Sequence, residues 1–300
     1  EIAELCGKTV AREIGSHGID MILGPCINIH RDPLAGRLSE SYSEDPKLLG
    51  EIAAGMVRGI QSTGLLADVK HFAANSQEKD RLGVNERVSE RALREIYFPA
   101  FHACLKAGAK TVMSAYNKLN GIPCAMNEWL LTKVLREEWG FQGLVMTDWG
   151  AMNDRVKSLN AGLDLEMPDC HGETDKLIIK AVQEGTVSMK TLDRTVERIL
   201  TAVDRYYSNK KENASYDMEA HHQLARKVAD NSAVLLKNDG ILPLKESQKV
   251  SIIGEFAETP RTQGGGSSHI NCFRIESALD ALRDNPNITY KKGYVAEKDE

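Results

Sequence analysis

Short apolar runs alternate along the chain with longer segments in which apolar residues recur every three or four positions. The first pattern is typical of buried strands and the second of amphipathic helices, so together they predict a parallel α/β sheet. Strands are predicted at 21–29, 64–69, 111–115 and 143–147, and helices at 2–14, 46–61, 89–107, 127–139, 175–184 and 191–206. Pro99 falls inside one of these helices and should bend or shorten it, because proline lacks a backbone N–H.

The apolar run that begins at Gly143 is followed by Asp148 and Trp149. A carboxylate at the end of a buried strand must be paired or used, since an unpaired buried charge is costly. Two interpretations are open at this point. Asp148 either caps the next helix, a common role for aspartate, or belongs to a functional site.

Polar and ionisable side chains collect at the C-terminal ends of five successive strands. Four sets follow the strands given above: His30 and Arg31, Lys70 and His71, Tyr116 and Asn117, and Asp148 and Trp149. The fifth is Glu166, in the segment 162–168. A (β/α)8 barrel carries its active site at this edge, whereas an open doubly wound sheet binds ligands at a switch point. Functional groups on five strand ends therefore favour a (β/α)8-type barrel.

A polar segment at 208–217 predicts a linker between a barrel domain at 1–207 and a second α/β unit at 218–300. The second unit is predicted to contain a helix to about Asn231, strands at 233–236 and 250–254, a Gly/Ser loop at 263–268 and a helix at 276–283. This loop has neither a Walker lysine nor the spacing of a dinucleotide site, so no phosphate site is predicted there.

Composition and charge limit the classes of partner. A net charge of −5 argues against nucleic acid, which calls for a basic surface. No apolar run approaches the 18 or more residues typical of a membrane span. The six cysteines are scattered without a C-x-x-C pair, so neither zinc nor a disulfide framework is predicted, and unpaired thiols favour a cytoplasmic location.

Several separated motifs resemble glycoside hydrolase family 3, and they follow the family's order over nearly the whole chain. They are NIHRDPLAGR at 28–37, YSEDP at 42–46, KHFAAN at 70–75, MSAYN at 113–117, GFQG and TDWG within 140–150, AGLDLEMP at 161–168, and VLLKN with LPL within 234–244. The resemblance implies a (β/α)8 barrel that lacks its first strand region here, followed by the start of an α/β sandwich. It also implies hydrolysis of terminal β-linked sugars with retention of configuration.

The resemblance gives roles to individual residues. It implies that Asp148 is the nucleophile, and that the subsite for the terminal sugar is lined by Arg37, Lys70, His71, Arg81 and Tyr116. For Trp149 we expect an apolar wall against a sugar face, with core packing as the alternative. Arg155 and Glu166 are candidates for residues that contact these side chains without contacting the sugar. A structural salt bridge for Arg37 and a packing role for Tyr116 remain open.

The family's remaining site residues are expected outside this sequence: a sugar-binding aspartate before residue 1 and an acid/base glutamate beyond residue 300. No histidine follows Lys70 and His71 in their loop, which favours the glucosidase/xylosidase branch over the β-N-acetylglucosaminidase branch. We therefore expect a β-glucosidase, with a β-xylosidase or mixed enzyme, or a glycan-binding pseudoenzyme, as alternatives. A hydride-transferring enzyme is disfavoured because a dinucleotide fingerprint is lacking.

The expected partner is a small oligosaccharide or glycoside, without nucleic acid or membrane, and a homo-oligomer is compatible with the sequence. No cofactor and no metal are expected, because two carboxylates suffice for this chemistry.

Overall fold

The computed structural model describes residues 1–210, 215–264 and 268–294. The chain divides into two compact units, Glu1–Ser232 and Ala233–Glu300. Part of the predicted linker, at 211–214, and the centre of the Gly/Ser loop, at 265–267, lie outside the described residues.

The first unit contains most of the regular structure. Its α-helices are α1 (Ile2–Ser16), α2 (Pro46–Gln61), α3 (Glu90–Ala92), α4 (Pro99–Lys106), α5 (Arg155–Ala161), α6 (Glu173–Gln183), α7 (Met189–Asn209) and α8 (Met218–Ser232). Its strands are β1 (Met21–Ile22), β2 (Leu66–Phe72), β3 (Asn85–Glu86), β4 (Thr111–Ser114), β5 (Lys118–Leu119), β6 (Ile122–Pro123) and β7 (Leu144–Thr147). Two π-helices (Leu93–Tyr97 and Trp129–Glu138) and two short 3-10 helices (Leu38–Glu40 and Cys124–Met126) complete the unit.

The main sheet is parallel, and its strand order is β1-β2-β4-β7, which is also their order along the chain. Two further parallel bridges, Cys26 to Lys70 and Met146 to Leu165, extend it beyond these strands. A doubly wound sheet reverses its strand order at a switch point, whereas a barrel wall does not. The order therefore agrees with the predicted barrel type, although the described strands of this sheet form an open run rather than a closed barrel.

Capping side chains explain where several helices begin. Asp45 accepts hydrogen bonds from the backbone N–H groups of Lys47 and Leu48, both at 2.8 Å, and Pro46 opens α2, as predicted. The predicted helix at 89–107 is interrupted before Pro99, where the π-helix ends and α4 begins. This interruption confirms the expected effect of proline in a helix interior.

Close packing fixes the positions of strands β2 and β7. Phe72, the last residue of β2, is fully buried and its ring lies 5.7 Å from that of Phe98 and 5.0 Å from that of Phe101. Gly143, just before β7, lies so close to β4 that a Cβ atom there would meet the Lys110 carbonyl oxygen at 2.1 Å. These contacts hold the C-terminal end of β2 and the beginning of β7 in place.

The second unit differs from its prediction. Strands β8 (Val250–Ile253) and β9 (Ile288–Lys291) pair in parallel, and α9 spans Ala278–Leu282. The predicted strand at 233–236 is wrong: these residues have no strand geometry, and Leu236 is 92% exposed. An apolar, β-favouring run forms a strand only beside a partner strand, and none pairs with it among the described residues.

The division between the units also differs from the predicted boundary. Helix α8 was expected in the second domain but lies in the first unit, where the His221 ring hydrogen-bonds to the Glu13 carboxylate of α1. Among the helices that the structure describes, none has the length and apolar character required to cross a membrane.

Candidate active site

Asp148 lies immediately after β7 and is 8% exposed. Its backbone N–H donates to the Ser114 carbonyl of β4 at 3.2 Å, which continues the ladder between these strands. Its Oδ1 accepts a hydrogen bond from the Trp149 backbone N–H at 2.8 Å. Its Oδ2 accepts none from any residue that the structure describes. One oxygen of a buried carboxylate is therefore left unused by the fold.

The structure excludes the interpretation of Asp148 as a helix cap. The next helix, α5, is capped by Asp154, whose Oδ1 accepts a hydrogen bond from the Lys157 backbone N–H at 2.9 Å. The two aspartates thus divide the roles that the sequence left open, and Asp148 remains available for chemistry.

His71, in β2, faces the unused oxygen of Asp148. Its Nε2 lies 3.3 Å from Asp148 Oδ2, outside hydrogen-bond geometry, and its side chain is buried. Burial lowers the pKa of His71 well below its usual value, and the positive charges of Arg37, Lys70 and Arg81 lower it further. The imidazole is therefore neutral at pH 7.

Three charged residues form a cluster beside this pair. The Arg37 guanidinium donates to both carboxylate oxygens of Glu40, at 2.7 and 2.9 Å, and Lys70 Nζ lies 3.6 Å from Glu40 Oε2. Burial alone would raise the pKa of Glu40, but the Arg37 hydrogen bonds and then the Arg37 and Lys70 charges lower it. Glu40 is therefore ionised, and it orients two of the cations predicted to bind sugar.

Arg81, Tyr116 and Trp149 form a second group. The Arg81 guanidinium lies 5.2 Å from the centre of the Tyr116 ring, and the Tyr116 hydroxyl donates to the Trp149 carbonyl at 2.8 Å. Burial raises the pKa of Tyr116, and the Asp148 charge adds to this effect. Trp149 is 43% exposed, which rules out simple core packing as its role.

The two supporting candidates lie beyond this group. Arg155 Nε is 3.8 Å from Glu166 Oε2, and Glu166 accepts a hydrogen bond from the Thr174 hydroxyl at 2.6 Å. Arg155 also donates to the Asp164 carbonyl at 3.3 Å. These contacts anchor the segment after Leu165, and none of them involves Asp148.

Three residues near the site were not singled out from the sequence. Asn28 bonds to His71 at three points, Glu40 joins Arg37 to Lys70, and Asp68 is fully buried two residues before Lys70. Burial, together with the Asp148 charge, raises the pKa of Asp68 to about 7. Asn28 is the first residue of a recognised motif, so its position there was the available signal, whereas Glu40 lies between two of the motifs. In the described parts of the chain, His, Cys, Asp and Glu form no group that could hold a metal ion.

The sequence matches two family models. The model described as "Glycosyl hydrolase family 3 N terminal domain" covers residues 1–202, and the model of the family's C-terminal domain covers residues 233–298. The chain belongs to glycosyl hydrolase family 3. The N-terminal domain of this family is a TIM-barrel-like α/β fold, which confirms the predicted fold class.

Similar proteins carry glycosidase names. The chain is 50% identical to a thermostable beta-glucosidase B of Acetivibrio thermocellus, with 100% of this chain and 40% of that protein covered. It is 48% identical to an exo-alpha-(1->6)-L-arabinopyranosidase of Bifidobacterium breve, with 95% and 39% covered. The chain thus spans about 40% of the length of these curated relatives.

Solved structures of β-glucosidases also resemble this chain. The fold matches a family 3 beta-glucosidase of Bifidobacterium adolescentis with a TM-score of 0.93 at 46% identity, covering 98% of this chain and 44% of that one. It also matches beta-glucosidase 3B of Thermotoga neapolitana in complex with glucose, with a TM-score of 0.90 at 41% identity and coverages of 97% and 42%.

Proposed function

We propose that the protein is a retaining exo-acting β-glycoside hydrolase, specifically a β-glucosidase, with Asp148 as its nucleophile. The observation that carries the proposal is the unused Oδ2 of a buried carboxylate at a strand end, next to His71 and near a cluster of cations. Retaining glycosidases need such an ionised carboxylate beneath the anomeric carbon.

In the proposed reaction, Oδ2 of Asp148 attacks the anomeric carbon while the bond to the aglycone oxygen breaks. The aglycone leaves as an alcohol after it receives a proton from an acid, and the sugar remains as an ester of Asp148. Water then attacks the same carbon, gives its proton to the conjugate base and releases both the β-configured sugar and the carboxylate.

The proposed sugar subsite consists of donors around this carboxylate. Charged and bidentate donors bind sugar hydroxyls well and discriminate against analogues that lack them. We assign the donor role to Arg37, Lys70 and Arg81, further contacts with sugar hydroxyls to His71 and Tyr116, and an exposed apolar surface for one sugar face to Trp149. The ion pair with Glu40 is compatible with both roles considered for Arg37, a structural salt bridge and a sugar contact. A guanidinium held on one edge still has N–H groups on the other.

The acid is not assigned to either of the nearby carboxyl groups. Glu40 is ionised by its contacts with Arg37 and Lys70, so it holds no proton to donate. Asp68 has a raised pKa of about 7 but is fully buried inside β2, where a glycosidic oxygen cannot reach it. Neither Glu40 nor Asp68 is therefore assigned the acid role.

A second candidate substrate comes from the relatives. One protein that shares 48% of its residues with this chain is named an exo-alpha-(1->6)-L-arabinopyranosidase, so a pentopyranoside is an alternative to glucose. A pentopyranose lacks the hydroxymethyl group at C5, which is also the difference between β-glucosidase and the β-xylosidase considered from the sequence. Ratios of kcat/KM on aryl β-glucoside, β-xyloside and α-L-arabinopyranoside separate these activities.

The mechanism is tested by trapping the nucleophile. Incubation with dinitrophenyl 2-deoxy-2-fluoro-β-glucoside should add one fluoroglucosyl group to the peptide that contains Asp148, detected by mass spectrometry. So activated a leaving group needs no acid, and the fluorine slows hydrolysis of the adduct. The Asp148→Asn variant should not be labelled.

The matched control is Asp154→Asn, which alters the neighbouring aspartate while asparagine still caps α5. This variant should be labelled like the unmodified protein. An adduct on another carboxylate would contradict the assignment of Asp148. A folded protein that binds the glycoside without any adduct would instead be the glycan-binding pseudoenzyme.

A further inference from the structure

Asn28 holds His71 through three contacts. Its side-chain Nδ2 donates to the His71 carbonyl at 2.9 Å, and its Oδ1 accepts from the His71 backbone N–H at 3.1 Å. The same Oδ1 lies 2.8 Å from Nδ1 of the His71 ring. Asn28 is itself buried, so these contacts are shielded from water.

The backbone of His71 fixes the orientation of the Asn28 amide. A carbonyl oxygen can only accept and a backbone N–H can only donate, so the amide nitrogen must face the carbonyl and the amide oxygen must face the N–H. The reversed amide would lose both hydrogen bonds and oppose two pairs of like groups. The oxygen at 2.8 Å from Nδ1 is thereby identified without reference to the ring.

The orientation of the Asn28 amide determines which ring nitrogen of His71 carries the proton. Because an amide oxygen has no proton to give, the hydrogen bond to Nδ1 exists only when Nδ1 carries the hydrogen. In a neutral imidazole the other nitrogen, Nε2, is then an acceptor. Nε2 is the atom that lies 3.3 Å from Oδ2 of Asp148, and neither atom has a hydrogen-bond partner among the described residues.

The surroundings of the ring favour the neutral form. The charged groups that act on it are Arg37, Lys70 and Arg81, all positive, together with Asp148, and the Cys26 thiol lies 3.9 Å from Nδ1. Burial and the three cations lower the pKa of His71, and they outweigh the single carboxylate. Two acceptors, Nε2 and Oδ2, therefore face the same space and both require a donor.

We propose that Asn28 is a positioning residue that fixes His71 as the Nδ1–H tautomer, so that Nε2 accepts a hydrogen bond from a hydroxyl of the sugar bound against Asp148. This inference rests on the proposed glycosidase function for its ligand but not for the tautomer. It distinguishes His71 from Arg37 and Lys70, which can only donate to sugar hydroxyls.

The tautomer is measured directly by NMR. The intact protein is labelled with 15N-histidine, and the His71 signals are assigned by their loss in His71→Gln. At pH 7 we expect one protonated ring nitrogen, Nδ1, and one unprotonated nitrogen, Nε2. A neutral ring with its proton on Nε2, or a doubly protonated ring at this pH, would overturn the proposal. This result is independent of any enzymatic activity.

Two variants test the role of Asn28. In Asn28→Ala the ring loses its fixed acceptor, and the His71 nitrogen signals should shift toward an average of the two tautomers. In Asn28→Asp a carboxylate faces Nδ1, so the pKa of His71 should rise and Nε2 should gain a proton. The control is Asn127→Ala, which removes another buried asparagine whose Oδ1 accepts from the Leu130 N–H at 3.1 Å. An equal change of the His71 signals in Asn127→Ala would refute a specific role for Asn28.

The direction of the sugar contact is tested with deoxy and deoxyfluoro aryl glycosides. The hydroxyl that binds His71 is the one whose removal costs roughly 3- to 10-fold in kcat/KM in the unmodified protein but little in His71→Ala. Fluorine accepts hydrogen bonds but cannot donate them. At that position the fluoro analogue should therefore be as poor a substrate as the deoxy analogue.

A fluoro analogue as good as the parent glycoside would show that Nε2 donates and would overturn the proposal. If the protein turned over no glycoside, the proposed function would fail while the NMR result still decided the tautomer. If the Asn28 variants did not fold, the NMR result on the unmodified protein would again decide it.

Discussion

Two buried aspartates contact opposite ends of strand β7, and they differ in how many hydrogen bonds they accept. Asp164 accepts hydrogen bonds from Arg136 at 2.7 Å, from Arg198 at 2.9 Å and from the Val145 backbone N–H at 2.9 Å. Asp148, at the end of the same strand, accepts one bond from the next peptide N–H and leaves Oδ2 unused. Both oxygens of the Asp164 carboxylate thus accept hydrogen bonds, whereas only one oxygen of Asp148 does.

The difference separates a structural carboxylate from a reactive one. Arg136 also donates to the carbonyls of Gly143 and Gly162, at 3.1 and 2.8 Å, so the Asp164 cluster joins the start of β7 to the turn that follows α5. Burial lowers the pKa of Arg136 to about 10, which still leaves it charged at pH 7. A nucleophile held by so many donors would be a poor one, because each donor stabilises the carboxylate before it reacts.

The largest expected effect is that of Asp148→Asn on catalysis. The change removes the proposed nucleophile, so kcat on a dinitrophenyl glucoside should fall by at least about 10⁴-fold. The free energy of unfolding in urea should change by less than about 1 kcal/mol, because Oδ2 has no donor to lose. A large loss of stability with little loss of kcat would reverse the roles of the two aspartates.

The next effect is that of Asp164→Asn on stability. The change leaves two guanidinium groups without a buried counter-charge, which should cost about 3–5 kcal/mol in the free energy of unfolding. Activity per folded molecule should fall far less than in Asp148→Asn. Urea denaturation and active-site titration measure the two quantities, and a loss below about 1 kcal/mol would contradict the structural assignment.

A third and smaller effect concerns Asp68. Its buried carboxyl group is neither ion-paired like that of Asp164 nor the proposed nucleophile. Its pKa rises from 3.8 in the unfolded chain to about 7 in the fold, so the folded state binds the proton more tightly. The free energy of unfolding should therefore decrease as pH rises from about 4 to 7, by up to roughly 1.4 kcal/mol per pH unit. Asp68→Asn has no carboxyl to ionise, so it should remove this decline.

The measurement is urea denaturation of both proteins between pH 5 and pH 8. We expect Asp68→Asn to be the more stable protein at pH 8 by about 1–4 kcal/mol, with a smaller difference at pH 5. Parallel pH curves would show that Asp68 does not titrate in this range.

The sequence predicted the elements whose signals are local. Helix α2 has its cap and its proline next to each other at Asp45 and Pro46, and its predicted bounds are those observed. The end of β7 was recognised because an apolar run stops at a charged residue. The parallel sheet followed from strand–helix alternation, which needs no knowledge of distant contacts.

The contacts that complete the site could not be predicted in this way. Asn28 and His71 are 43 residues apart, and their pairing depends on the alignment of the segment after β1 with β2. Glu40 ends a 3-10 helix of three residues, which is too short for a periodicity to indicate the direction of a side chain. The predicted strand at 233–236 failed for the related reason that strand formation depends on a partner elsewhere in the chain.

The strand order of the main sheet also bears on how the chain can fold during synthesis. Each strand of the order β1-β2-β4-β7 pairs with the strand that precedes it in the sheet and in the chain. The strands β2, β4 and β7 can therefore each pair on one side with a strand that the ribosome has already released. Asp148 is added with the last of these four strands.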